Sequence, residues 1–247
     1  TMVYRDSLLG EEFAGDAFVC EPVHNLVSRR IISEKDGVFT ARRSANEASS
    51  EFLASSDSWF RPVMIRPGPD GALWVADMYR FVIEHPEWIP PEWQAKLNLQ
   101  AGNNMGRIYR IAPPGSQWQV PSVDFTTVSG CVAALASPNH CARATALSML
   151  ASEPEAAARL LDKAYRAATE PHLKARYAWA AGMLPGQAEA WIERLAGEGD
   201  DRLRAVAMRL CRRVEGDVLS LVAAAAEDDS PLVRREAAIA LRGQTGD

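Results

Sequence analysis

Between Trp59 and Tyr79 the chain reads WFRPVMIRPGPDGALWVADMY, with two apolar runs, Val63-Met64-Ile65 and Leu73-Trp74-Val75, on either side of Pro69-Asp70-Gly71. Proline fixes φ, aspartate bonds its own backbone and glycine admits positive φ, so this stretch predicts a β-hairpin. The second run leads straight into Asp77 and Tyr79. An acid and a phenol at the end of an apolar strand are either site residues or ordinary turn residues. The same pattern occurs earlier, where Phe18-Val19-Cys20-Glu21 follows Gly15 as Trp74-Val75-Ala76-Asp77 follows Gly71. Each copy precedes a further strand, Leu26–Ile32 and Arg107–Ile111, and the second copy carries an insertion from Met78 to Met105. A sheet unit recurring at this spacing is how a β-propeller blade appears in sequence. Two blades cannot close a ring, which predicts that the chain is the C-terminal part of something larger.

Beyond residue 125 the pattern changes. From Thr126 to Asp247 there are 29 alanines in 122 residues, and apolar positions recur at three and four, as in Ala205, Met208 and Leu210 or Val233, Ala237 and Leu241. That period predicts amphipathic helices. Units open at Ser137-Pro138, Glu170-Pro171, Asp200-Asp201 and Asp229-Ser230-Pro231, close to thirty residues apart, with second helices at Ala157–Arg166 and Val218–Ala226. Paired helices at this period predict an α-solenoid of HEAT type. Arg143, Arg176, Arg204 and Arg234 recur at one place in the unit. They predict either a ladder of hydrogen bonds to acids such as Asp201 and Asp229, or a basic strip for a partner. The fold class is therefore β plus α: propeller blades over residues 1–112, a Pro/Gly/Ser-rich linker over 113–125, and a solenoid over 126–247.

Composition narrows the function classes. The net charge is -5 and the pI about 5.5, so no basic surface argues for nucleic acid or an anionic membrane. No run of 18 apolar residues predicts a membrane span. The opening Thr1-Met2-Val3-Tyr4-Arg5 carries no leader-like run, so the chain reads as intracellular or as a mature piece of a longer protein. The four cysteines include no CxxC and no CxxCH, which excludes a c-type haem within this chain. Cys131 and Cys141 flank a presumed turn and are either a disulfide or two free thiols. No histidine pair has metal-ligand spacing, so no metal site is predicted.

Gly15–Ile32, Trp59–Tyr79 and Asn103–Ile111 (NNMGRIYRI), followed by helical repeats, resemble membrane-bound dehydrogenase-like proteins of Planctomycetes and Verrucomicrobia. The resemblance implies a sugar-dehydrogenase-like propeller joined to HEAT repeats, a periplasmic location, and a c-type cytochrome domain that has no motif here. More distantly, Phe60-Arg61-Pro62-Val63 with PDGALWVAD is similar to the last blade of glucose and aldose dehydrogenases that use pyrroloquinoline quinone, with calcium as a possible companion ion. There the segment reads R-x-R-D-V, and its arginines reach the quinone's carboxylates. Arg61 matches the second arginine, whereas Trp59 stands for the first and Pro62 for the aspartate. The lysine of the preceding blade has no counterpart in Pro22-Val23-His24-Asn25.

The resemblance thus implies cofactor contacts at Arg61, His24 and Asn25. A planar guanidinium suits a carboxylate. The other reading of Arg61 is an ion pair with Glu21 or Asp77. Asp77, Tyr79, His85 and Trp88 are the candidate substrate contacts, because aromatic, proline-stiffened loops suit a sugar's apolar face. Trp88 and Trp93 equally suit packing of the insertion, which predicts a short helix over Pro91–Leu99. Two functions follow. One is the tail of a quinone-type sugar or alcohol dehydrogenase whose helical repeats dock a cytochrome or another protein. The other is a scaffold without chemistry that binds polysaccharide or protein. An isolated pair of open sheets would also expose edges and favour association.

Overall fold

The structure is a computed structural model that describes residues 1–214 and 218–242. It has a mixed β plus α architecture, with antiparallel sheets in the N-terminal part and helices in the C-terminal part. Two compact units account for the chain. The first comprises Thr1–Ser33, Phe39–Pro121 and Pro138–Cys141, and the second Glu34–Val38, Ser122–Ser137 and Ala142 onward. Among the described residues no helix is long and apolar enough to cross a membrane.

In the first unit, β1 (Met2–Val3), β2 (Ala17–Glu21), β3 (Leu26–Lys35) and β4 (Val38–Arg42) form one sheet in that order, with β5 (Leu53–Ala54) also on β3. β3 runs beyond the expected Ile32. Asp36 (φ 51°) and Gly37 (φ 78°) turn the chain back as β4, which gives the extra residues a partner. The second sheet is β6 (Pro62–Pro67), β7 (Leu73–Asp77) and β8 (Arg107–Ile111), antiparallel throughout. The hairpin expected at Pro69-Asp70-Gly71 is present. Asp70 Oδ1 accepts from the Ala72 N–H and the Trp74 indole, Arg110 Nε donates to Asp70 Oδ2 at 2.6 Å, and Gly71 sits at φ 84°. A Cβ at Gly71 would lie 2.6 Å from Asp6 Oδ1, so packing and backbone both require glycine there.

Alternation along these strands buries Phe18, Val27, Ile65, Leu73 and Val75 in one core with Met2 and Tyr4. Phe13 and Phe52 flank Phe18, with ring centroids 6.5 and 4.8 Å away. Tyr4 donates its hydroxyl to the Gly71 carbonyl at 2.8 Å, and burial pushes that phenol up to about 12. One polar group is packed into the same region. Arg29 lies across the Phe13 ring and donates to Asp16, Glu47 and the Glu12 carbonyl.

The helix expected at Pro91–Leu99 is shorter: α1 spans Pro91–Gln94. The Asn98 side chain accepts from the Gln100 N–H, a local turn that competes with continuation of the helix. No regular element occupies 113–125.

The remaining helices are α2 (Val128–Ala134), α3 (His140–Leu150), α4 (Pro154–Ala167), α5 (Pro171–Gly182), α6 (Ala188–Ala196), α7 (Asp201–Cys211), α8 (Leu219–Ala226) and α9 (Pro231–Ala240). Prolines stand at the first turn of α4, α5 and α9, where no intrahelical donor is lost. In the second unit α2 packs on α4, α4 on α5, α5 on α6 and α7, and α9 on α7 and α8. Tyr165, Trp191, Leu161, Ile192, Leu195 and Leu210 are among the large buried side chains of its core.

One open alternative is decided here and one reading changes. Cys131 and Cys141 are free thiols, the first directed at the Phe125 carbonyl at 3.6 Å and the second donating to the Pro67 carbonyl at 3.2 Å. The recurring arginines bind mostly main-chain carbonyls rather than Asp201 or Asp229 side chains. Arg143 reaches Ser137, Arg176 reaches Leu135, Arg204 reaches Glu198 and Gly199, and Arg234 reaches Asp228 and Asp229. In three of the four the acceptor lies six residues earlier, in the turn before the helix. In those three the bond ties a turn to the helix it feeds, and Arg204 also pairs with the Asp228 carboxylate.

Candidate functional site

At the end of β7 the acid Asp77 organises its surroundings. It is 3% exposed, and its Oδ1 accepts from the Arg61 N–H at 2.7 Å and the Tyr79 N–H at 2.8 Å. Its Oδ2 is buried and has no hydrogen-bond partner among the described residues. A carboxylate that bridges two strand ends in this way positions backbone, so Asp77 is a support and not a surface contact.

The chain then turns sharply at Tyr79, whose φ of 49° is unusual for a bulky side chain. The Asp77 bond to its N–H holds that turn, and Gly102 presses on it from the returning insertion. A Cβ on Gly102 would fall 2.3 Å from the Tyr79 carbonyl oxygen, and Gly102 itself has φ 88°. Gly102→Ala should therefore destabilise the first unit by about 1–2 kcal/mol through strain and collision, read as a lower urea midpoint by tryptophan fluorescence. A change below about 0.3 kcal/mol would mean the insertion is not packed on Tyr79 in solution.

This turn delivers a group of aromatic and charged side chains to one place. Tyr79 donates its hydroxyl to Asp57 Oδ2 at 2.8 Å, and the Arg107 guanidinium lies 3.7 Å above the Tyr79 ring. Trp59 sits 5.8 Å from the Tyr79 ring and 5.6 Å from Phe81. Asp57 Oδ1 accepts from the Trp59 N–H, and that bond, followed by the Tyr79 hydroxyl, holds the Asp57 carboxyl below the usual range. The same hydrogen bond to Asp57 is the main reason the Tyr79 phenol is raised. Phe81 is 43% exposed and Asp57 and Arg107 are exposed, so the cluster faces solvent.

Residues 1–115 match a family described as a domain of unknown function, DUF7133. No curated protein and no solved structure matches the chain. The matched span runs from before β1 to just after β8, so it includes every residue of the cluster.

The other sequence-derived candidates take different places. Arg61 donates to four main-chain carbonyls, with Nη1 to Pro22 at 2.7 Å and Val23 at 3.2 Å, Nε to Arg80 at 3.1 Å, and Nη2 to Phe81 at 3.3 Å. It pairs with neither Glu21 nor Asp77 by side chain. Its role in this arrangement is to join the β2–β3 turn to the segment after β7. Asn25, at φ 61°, donates to the Ser58 and Phe60 carbonyls and anchors the same region. His24 is three-quarters exposed and its Nδ1 contacts Glu21 at 2.6 Å. Arg61, His24 and Asn25 are thus brought together, but their donors are directed at protein groups.

His85 and Trp88 lie at a short 3-10 turn of the insertion, with the His85 side chain 64% and Trp88 76% exposed. Among the described residues no group of three or more His, Cys, Asp or Glu could hold a metal ion. The residues at Arg61 also do not fit a quinone carboxylate, since the one arginine that could clamp it is bonded to carbonyls and Trp59 and Pro62 bring no charge. Asp57, Phe81 and Arg107 were not singled out from the sequence. Only Asp57-Ser58-Trp59, an aspartate two residues before a tryptophan, carried a local signal of a side-chain turn.

Proposed function

We propose that this chain is the ligand-recognition end of a sugar-dehydrogenase-like propeller protein with HEAT-type repeats, binding a carbohydrate on the Trp59–Tyr79–Phe81 cluster and docking a protein through its helices. The observation that carries the reading is the cluster itself, in which solvent-facing rings stand beside an ionised acceptor, Asp57, and a planar donor, Arg107. Aromatic faces stack on the apolar faces of sugar rings, while a carboxylate and a guanidinium serve the hydroxyls. The order of elements, two sheets followed by paired helices, agrees with the resemblance to the dehydrogenase-like proteins, and the periplasmic setting is proposed from that resemblance alone.

A scaffold that binds but does not catalyse is favoured over a quinone-dependent enzyme, because Arg61 is bonded to four carbonyls. In this reading Arg61, Asn25 and Asp77 shape the platform and do no chemistry.

The test is a titration of the whole chain with neutral glucan, xylan and mannan oligosaccharides, followed by tryptophan fluorescence and calorimetry. One of the three should bind, and Trp59→Ala should weaken it about tenfold, equivalent to about 1.4 kcal/mol. Absence of binding by all three at millimolar concentration, or full affinity in Trp59→Ala, would refute the carbohydrate assignment.

A further inference from the structure

The second unit contains a charge imbalance where the C-terminal end of α7 meets the middle of α9. Glu236 is 5% exposed, yet three guanidinium groups face it: Arg209 at 2.9 Å, Arg235 at 3.1 Å and Arg212 at 3.7 Å. Burial alone would raise the Glu236 carboxyl, but the hydrogen bonds and charges of Arg209 and Arg235 outweigh it and hold the group below the usual range. Among the described residues, three guanidinium groups therefore share two carboxylates, Glu236 and, through Arg235 alone, Glu34.

Arg235 has further partners, the Gly37 carbonyl at 2.5 Å and Glu34 at 3.2 Å, and Glu34–Val38 belongs to this same unit. Arg209 and Arg212 do not share that support. Arg209 donates a single hydrogen bond, to Glu236, and Arg212 donates none among the described residues. Their side chains are 40% and 38% exposed. Each guanidinium offers five N–H donors in a planar fork, and among the described residues Arg209 and Arg212 together use one of them in a hydrogen bond.

We propose that Arg209 and Arg212 form a docking site for a carboxylate on an acidic segment of a partner protein. The argument is charge complementarity. The chain as a whole is negative, at -5, and would repel an acidic partner everywhere except where cations outnumber anions locally. The geometry suits the class, because two adjacent guanidinium groups accept a carboxylate through paired, charge-assisted hydrogen bonds. The proposal rests on the reading of the helical unit as a docking surface and names the chemistry of what docks.

Fluorescein-labelled hexaglutamate is the probe, titrated into the whole chain and followed by fluorescence anisotropy at 50 and 200 mM salt. Saturable binding is expected, weaker at the higher salt. Arg209→Gln/Arg212→Gln should lose at least tenfold in affinity. Arg212→Glu should lose as much while the chain stays folded at the assay temperature, because among the described residues Arg212 makes no hydrogen bond and only the 3.7 Å ion pair with Glu236. Arg202→Gln, at an exposed arginine paired with Asp200, should bind as the parent does. No saturation below millimolar probe, retention of affinity in Arg212→Glu, or an equal loss in Arg202→Gln would overturn the proposal. Oligosaccharide binding is measured on the same samples, so a chain that binds hexaglutamate but no glycan keeps this site and loses the Trp59 site, and the converse result does the reverse.

Discussion

Arg29→Ala should destabilise the first unit by about 3–5 kcal/mol, the largest effect expected from any single polar substitution in this chain. Arg29 is 6% exposed, and each part of its guanidinium has a role: Nε to Asp16 at 2.6 Å, Nη1 to Glu47 at 3.2 Å, Nη2 to the Glu12 carbonyl at 2.5 Å, with the plane 4.1 Å from the Phe13 ring centroid. Truncation removes the cation paired with Asp16, whose side chain is 7% exposed, and leaves that carboxylate buried without its charge partner. Removing one member of such a pair costs more than the pair contributes, because the desolvated remainder has no compensation. Urea unfolding followed by tryptophan fluorescence reads this unit, which contains five of the seven tryptophans. Arg29→Lys should recover only part of the loss, since an ammonium cannot make the three divergent contacts of the fork. A loss below about 1 kcal/mol in Arg29→Ala would show that Asp16 escapes to solvent when Arg29 is absent.

That arginine also shows where sequence reading stops. Leu26-Val27-Ser28-Arg29-Arg30-Ile31-Ile32 predicts a strand, and β3 includes it, but two adjacent arginines in a pattern without alternation give no sign of which points inward. The partners, Asp16 and Glu47, are supplied by segments that no local rule connects. The hairpin at Pro69-Asp70-Gly71 was legible for the opposite reason. Its turn chemistry is contained in three consecutive residues, and the strands it joins are flanked by clear apolar runs. Helix positions followed from alanine content and period, so Ala157–Arg166 and Val218–Ala226 fall within or beside α4 and α8. The site was half legible. Asp77 and Tyr79 were marked by their place after a strand, yet their roles, one a buried backbone support and the other a face in an aromatic cluster, depend on the turn at φ 49° that sequence does not announce. Arg107 joins them because antiparallel pairing sets it directly opposite Asp77 across β7 and β8, after an insertion long enough to hide the relation. Arg61 drew attention by its resemblance to a cofactor clamp, and only the carbonyls around it reveal its main-chain role.

In the helical unit the comparable test is Arg204→Ala, expected to cost about 2–3 kcal/mol at neutral pH. Arg204 is one-fifth exposed and makes a two-point pair with Asp228, Nε to Oδ2 at 2.7 Å and Nη2 to Oδ1 at 2.9 Å. Its Nη1 also donates to the Glu198 and Gly199 carbonyls in the turn between α6 and α7. The substitution thus loosens that turn and removes a cation from a carboxylate that is only 14% exposed. Less than the full buried-pair penalty is expected, because Asp228 keeps the Ser230 N–H as a donor. The pH dependence separates this account from simple loss of packing. Hydrogen bonding from Arg204 is the main reason the Asp228 carboxyl is held below its ordinary value. A depressed carboxyl contributes stability that is fully present above its unfolded value, about 4, and is lost as pH falls through the folded one. The difference between parent and Arg204→Ala, measured by urea unfolding at 222 nm circular dichroism, should therefore be constant from pH 7 to about 5 and narrow on further acidification. A difference that stays constant down to pH 3 would assign the effect of Arg204 to its aliphatic stem and its bonds to the carbonyls, and would remove the ion pair with Asp228 from the account of how one helical pair is fastened to the next.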